Sequence, residues 1–141
     1  MGRYTLGAHS GPREGKYKEK PCRRCKQGYR PYSPSQLYCS DVCADDGKTN
    51  AYLMRTYGIS LEHYEKMYAE QGGLCAICNG EGFVMKECHS LKLVVDHCHL
   101  GGHVRGLLCH NCNRALGLLK DSTTVLSNAI NYLTLDKQAV V

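Results

Sequence analysis

Cys75/Cys78 and Cys109/Cys112 form two Cys-x-x-Cys pairs with thirty residues between them, and inside that gap stands the cluster Asp96-His97-Cys98-His99. Four thiolates around one Zn²⁺ make a closed tetrahedral site with no open position, so an ion held there is structural. Chemistry then falls to the residues that the zinc holds in place. Asp96 and Asn113 would bring two hard oxygen ligands together, a small set that suits Mg²⁺ or Mn²⁺ with water and a substrate phosphate completing the shell. His97 follows Asp96 in an extended segment and so points the other way, able to address a water instead of the metal. An ordinary histidine pKa near ~6.5 leaves most imidazole neutral at pH 7, as a general base requires. Asn113 is also placed to cap a helix start, and only its position directly after Cys112 promotes it to a ligand. Arg105 has two open roles, a hold on a non-bridging phosphate oxygen or a structural pair with a carboxylate.

A second quartet, Cys22, Cys25, Cys39 and Cys43, has thirteen residues between its pairs and predicts a second zinc per chain. Cys88 and Cys98 are surplus and read as buried free thiols, with Cys88-His89 as a peripheral metal site the alternative. Mixed ligation by His97, His99, His103 or His110 is a minor alternative, because the cysteine pairs already complete a site. His9, His63 and His89 read as surface residues.

The composition agrees with metal-stapled modules. No Trp and one Phe in 141 residues is thin material for a continuous core, and modules of this kind usually need a metal or disulfides to fold. The first twenty residues lack the apolar run of a secretory signal, so the cysteines read as reduced and the protein as cytoplasmic. No run of eighteen apolar residues predicts a membrane span. Residues 1–38 carry nine Lys/Arg against two Glu, while residues 39–141 carry nine against eleven Asp/Glu. Tyr4, Tyr17, Tyr29, Tyr32 and Tyr38 lie in the basic part, a mixture that points to a polyanion such as DNA.

Local sequence signals mark out the helices and strands that carry these groups. Residues 1–20 read as a flexible basic arm and 21–56 as a zinc knuckle with a linking helix. Ser40 caps that helix, which ends near Tyr57, although Gly47 argues for a later start. Ser60 caps the next helix, with Ile59 stapled onto Tyr64, and Gly72-Gly73 ends it. Residues 92–97 read as a strand, Gly101-Gly102 as a hairpin turn and residues 103–108 as the returning strand. From Asn111 the period is helical, with Ala115, Leu116 and Leu119 on one face. Ser122 caps a last helix that carries Val125, Leu126, Ala129, Ile130 and Leu133 at helical spacing.

Residues 57–121, from YGISLEHYEKMYAEQGGLCAIC through LVVDHCHLGGHVRGLLCHNCNRALGLLKD, resemble the phage recombination endonuclease VII family among the His-Asn-His (ββα-metal) nucleases. The combination of paired cysteines, Asp-His-x-His, Val-Arg-Gly-Leu-Leu-Cys and Cys-Asn carries the resemblance. It implies a small α+β zinc-stapled fold whose 57–141 domain holds a ββα-metal hairpin and helix, preceded by helices and the knuckle. It also implies an HNH-type DNA endonuclease in a bacterial or phage-infected cell, with Asp96 and Asn113 binding the catalytic metal. His97 would activate the water and His99 would support the metal or phosphate. In the family prototype an acidic residue stands one turn beyond the metal-binding Asn, where this chain has Leu116. The prototype's long C-terminal helical region, which builds a dimer, has no counterpart before Val141. Nuclease chemistry is therefore better supported than junction resolution, and a homodimer stays open. The rival reading is a non-catalytic zinc module that only binds nucleic acid or protein; it explains the cysteines but not Asp96, His97 and Asn113.

Overall fold

The computed structural model describes residues 14–85 and 91–135. Most of the basic arm (1–13), Cys88 and His89 lie outside the described residues. Among those described, the chain is a small α+β protein with four helices and two small hairpins. It divides into two compact units, one taking the described residues up to Glu70 with His97–Val104, the other Gln71–Asp96 with those from Arg105 onward.

The first unit opens with β1 (Lys20–Pro21), antiparallel to β2 (Gly28–Tyr29), with Lys20 opposite Tyr29. Order was expected from Pro21, yet the amides of Gly15 and Tyr17 already donate to the carbonyls of Arg30 and Pro31. A chain that is polar in side chain can still be fixed through its main chain, which hydropathy does not report. The knuckle's interior is built from Cys22, Tyr29, Cys39 and Cys43, with Tyr38 and Cys25 packed against them.

Helix α1 (Asp41–Tyr57) starts where Ser40 Oγ accepts from the Cys43 amide and ends at Gly58 in the left-handed region, φ 70°. It runs straight through Gly47, contrary to the later start that Gly47 suggested. A Cβ at that position would overlap the Tyr38 ring, so glycine is there to admit the tyrosine. Helix α2 (Leu61–Glu70) packs on α1 through buried Leu53, Leu61 and Tyr64, and Asn50 Oδ1 accepts the Leu61 amide at 2.8 Å. Arg24 ties the knuckle to both helices, with bonds of 3.1 Å to Asp46 and 2.7 Å to Glu65.

The second hairpin pairs β3 (Val94–His97) with β4 (Val104–Leu108). β3 is shorter than the expected strand, and its turn closes through Gly102 N donating to Cys98 O at 2.7 Å. In the second unit Leu91, Leu93, Val94, Val95, Leu107 and Leu108 are buried. Helices α3 (His110–Leu118) and α4 (Thr123–Thr134) follow, the latter capped by Ser122. Neither carries a buried residue, so the apolar face of Val125, Ile130 and Leu133 is exposed within this chain. Among the described residues no helix is long and apolar enough to cross a membrane.

Candidate active site

Each unit contains one cysteine quartet. Cys22, Cys25, Cys39 and Cys43 form the first and Cys75, Cys78, Cys109 and Cys112 the second, the Sγ atoms of each lying within 4.8 Å of one another. Separations of 3.6 Å for Cys25–Cys39, 3.7 Å for Cys39–Cys43 and 3.7 Å for Cys78–Cys109 are those of a metal cage. Zn–S bonds of ~2.3 Å set tetrahedral edges of about 3.8 Å. No disulfide joins the described cysteines. Two structural zinc ions fit these two groups.

The thiols within each quartet are unequal. Burial alone pushes the Cys22 thiol up, but the amides of Cys25, Cys39 and Arg24 more than offset it and bring its pKa to about 6. Cys75 is also brought to about 6, the amides of Cys78, Cys109 and Ile77 overcoming its burial. Cys39 is pushed up to about 12 by burial and by hydrogen bonds with its neighbours. Cys22 and Cys75 thus each offer zinc a ready thiolate, because backbone amides are aimed at those two sulfurs.

Asp96 stands on β3, 7% exposed, and β4 sets Arg105 across from it. Arg105 Nε lies 2.6 Å from Asp96 Oδ2 and Nη2 lies 3.0 Å from Oδ1. Nη2 also reaches Asp121 Oδ2 at 3.3 Å. Of the two roles left open for Arg105, the structure shows the carboxylate pair. The fork to Asp96 raises the guanidinium pKa still further, so it is a permanent cation. Asn113 occupies the first turn of α3, its amide donating to Cys109 O at 3.0 Å.

His97 and His99 lie together in the first unit, ring centroids 4.9 Å apart. Tyr57, at the end of α1, meets the His97 ring edge-on at 5.5 Å, and its hydroxyl is 3.5 Å from that of Tyr52. Burial and then the Tyr52 hydroxyl push the Tyr57 phenol up, so it stays neutral. Half-buried Cys98 accepts from the Gly101 amide at 3.4 Å, a turn contact within the hairpin.

Three contributors escaped sequence reasoning. Tyr57 gave no signal beyond its place as the last residue before a helix-ending glycine. Gln71 pins β4, its Nε2 donating to Leu107 O at 2.9 Å and its Oε1 accepting from Leu107 N at 2.9 Å. A side-chain amide can replace a peptide group in this way without any pattern in sequence. Asp121 gave no signal beyond its place directly before the helix cap Ser122. Its neighbour Lys120 and Asp121 itself both sit in the left-handed region, φ 54° and 52°. Such conformations cost non-glycine residues of order ~1–3 kcal/mol each, and here they deliver the Asp121 carboxylate to Arg105.

Comparison with known proteins gives these residues a setting. The sequence model of recombination endonuclease VII matches residues 50–135. "Gene 59 protein" of Mycobacterium phage D29 is 36% identical over 129 residues, covering 84% of this chain and 75% of that protein. "Gene 59 protein" of Mycobacterium phage L5 is 34% identical over 129 residues, with 84% and 76% covered. No solved structure matches the chain.

Proposed function

The chain belongs to the recombination endonuclease VII family, and on that premise we propose that it is a metal-dependent DNA endonuclease of the His-Asn-His type that hydrolyses phosphodiester bonds. The observation that carries the reading is Asp96, a nearly buried carboxylate kept beside a cation, with His97 next to it in sequence. The Arg105 pair offsets the cost of burying that carboxylate, and Asp96's place at the head of the Asp-His-x-His cluster is what points to a task there.

Residues 57–141 are assigned as the nuclease domain, with the β3, β4, α3 succession as its ββα-metal core. Asp96 and Asn113 would hold a Mg²⁺-type ion, which would supply charge stabilisation to the phosphate and the leaving oxygen. His97 takes the proton from the attacking water, and the edge contact of Tyr57 fixes the plane of its ring. His99 supports the site beside His97. Arg105 supplies the positive charge that meets a non-bridging phosphate oxygen. The zinc at Cys75, Cys78, Cys109 and Cys112 holds the start of α3, and the knuckle of residues 21–56 adds basic surface for the DNA backbone.

Incubation of the zinc-loaded protein with supercoiled, linear and branched DNA, with and without Mg²⁺, tests this reading. Mg²⁺-dependent cutting of at least one form is expected. Binding without cutting in any of them would favour a non-catalytic module.

A further inference from the structure

The fold sorts the described tyrosines of the basic N-terminal part. Tyr29 is buried at 2% exposure, its hydroxyl donating to Gln36 O at 2.6 Å, and Tyr38 packs against the cysteine cage. Tyr17 and Tyr32 are instead 38% and 58% exposed. Their main chain is nevertheless fixed. The Tyr17 amide donates to Pro31 O at 3.2 Å, which sets Tyr17 beside the Pro31–Tyr32 peptide, and the Tyr32 amide donates to Gln36 Oε1 at 2.8 Å. Gln36 is held in turn, its Nε2 donating to Tyr38 O at 2.8 Å, and Pro31 is fully buried. Two aromatic side chains thus face solvent from a rigid support, which lowers the ordering cost of any partner they meet.

The same segment is strongly cationic, with seven Lys/Arg against two Glu and no Asp in residues 14–38. Arg24 is held by Asp46 and Glu65, but among the described residues Lys16, Lys18, Arg23, Lys26 and Arg30 have no carboxylate partner. Lys16 Nζ lies 5.4 Å from the Tyr17 ring centroid, and the Arg30 carbonyl takes the Gly15 amide at 2.7 Å two residues before Tyr32. Free cations interleaved with exposed rings match a chain that alternates phosphates with bases. A duplex offers the phosphates but stacks its bases on one another, so an unpaired strand is the form of DNA that satisfies both.

We propose that the N-terminal knuckle is a platform for single-stranded DNA, on which unpaired bases stack against Tyr32 and Tyr17 while Lys16, Lys18 and Arg30 take the neighbouring phosphates. The inference rests on the reading of DNA as the substrate and adds that the strand held at the knuckle is unpaired. It does not depend on the cleavage chemistry.

The test is fluorescence anisotropy of the full-length, zinc-loaded protein without added Mg²⁺, against an oligothymidylate, an abasic deoxyribose-phosphate strand of the same length and a duplex of that length. Wild type should bind the oligothymidylate at least roughly 10-fold more tightly than the abasic strand, a comparison that needs no variant. Tyr32→Ala should weaken oligothymidylate binding by roughly 5- to 100-fold, the range that stacking on one aromatic covers, and leave the abasic strand and the duplex as in wild type. Tyr17→Ala should do the same, and Tyr32→Phe, which keeps the ring, should bind like wild type. Arg30→Gln should weaken all three and flatten the salt dependence of log K by roughly 0.7 for the single strands. Equal wild-type affinity for the oligothymidylate and the abasic strand would overturn the platform. So would equal weakening of all three ligands by Tyr32→Ala in protein that keeps its zinc. Failure of wild type to bind any of the three would overturn the DNA reading itself, a result distinct from loss of the base preference alone.

Discussion

Cys109 Sγ accepts the backbone amide of Cys112 at 3.4 Å, so one zinc ligand is also the N-cap of α3. Zinc geometry and helix start are therefore one arrangement, and Asn113 follows directly from it. Cys109→Ala should reduce zinc from two ions per chain to one and unfold this region, since zinc contributes ~10–16 kcal/mol to small modules of this kind. Cys109→Ser should lose the zinc too, although a serine can still cap the helix. Elemental analysis with far-ultraviolet circular dichroism checks both, and a folded, fully active Cys109→Ala protein would refute the coupling.

Acid should release the zinc. Cys22 and Cys75 have folded pKa values of about 6 against an ordinary 9.0. In the metal-free chain a depressed pKa adds stability that is fully present above 9, shrinks as pH falls and is gone below about 6. The same protonation removes the thiolates that zinc needs. Zinc should be retained at pH 7 and freed on titration below pH 6, with loss of helical signal in step. A chromogenic zinc indicator follows the release, and retention of both ions at pH 4 would contradict the assignment.

The basic arm should divide at residue 14. Deleting residues 1–13 removes Arg3 and Arg13 and leaves the Gly15 and Tyr17 amides on their carbonyls. The salt dependence of log K for DNA should flatten by roughly 0.9 for each phosphate that the shortened arm can no longer neutralise. Deleting residues 1–20 also removes Lys20 of β1, unpairing Tyr29, and should destabilise the knuckle as well. Fluorescence anisotropy across a salt series separates the two deletions. An unchanged slope for the shorter one would show that neither Arg3 nor Arg13 neutralises a phosphate.

Spacing made the zinc cages legible, because the Cys-x-x-Cys turn is a local geometry that sequence distance nearly determines. The caps at Ser40 and Ser122 were legible for the same reason. Gly47 misled because a helix propensity is a local cost, whereas the space for Tyr38 is a tertiary gain. Arg105 could not be resolved from its strand position, since Asp121 joins it from sixteen residues further on. Tyr57 and His97 are forty residues apart in sequence, and no periodicity encodes their ring contact. The α4 stripe was read correctly as helical, but an amphipathic pattern says nothing about what covers it.

The most direct test is the single-turnover rate of DNA cleavage, in Mg²⁺ that saturates the wild type and then at higher Mg²⁺, for wild type, His97→Ala and Asp96→Ala, all shown to carry two zinc ions. His97→Ala should bind DNA as tightly as wild type but cut roughly 10²- to 10⁴-fold more slowly, the usual contribution of a positioned general base. Added imidazole should restore part of that rate. Asp96→Ala should be insensitive to imidazole and should recover only as Mg²⁺ is raised, because it lacks a hard ligand and not a base. If both variants cut DNA at the wild-type rate, the Asp-His-x-His cluster is not the active site and the chain's nuclease assignment at these residues is wrong.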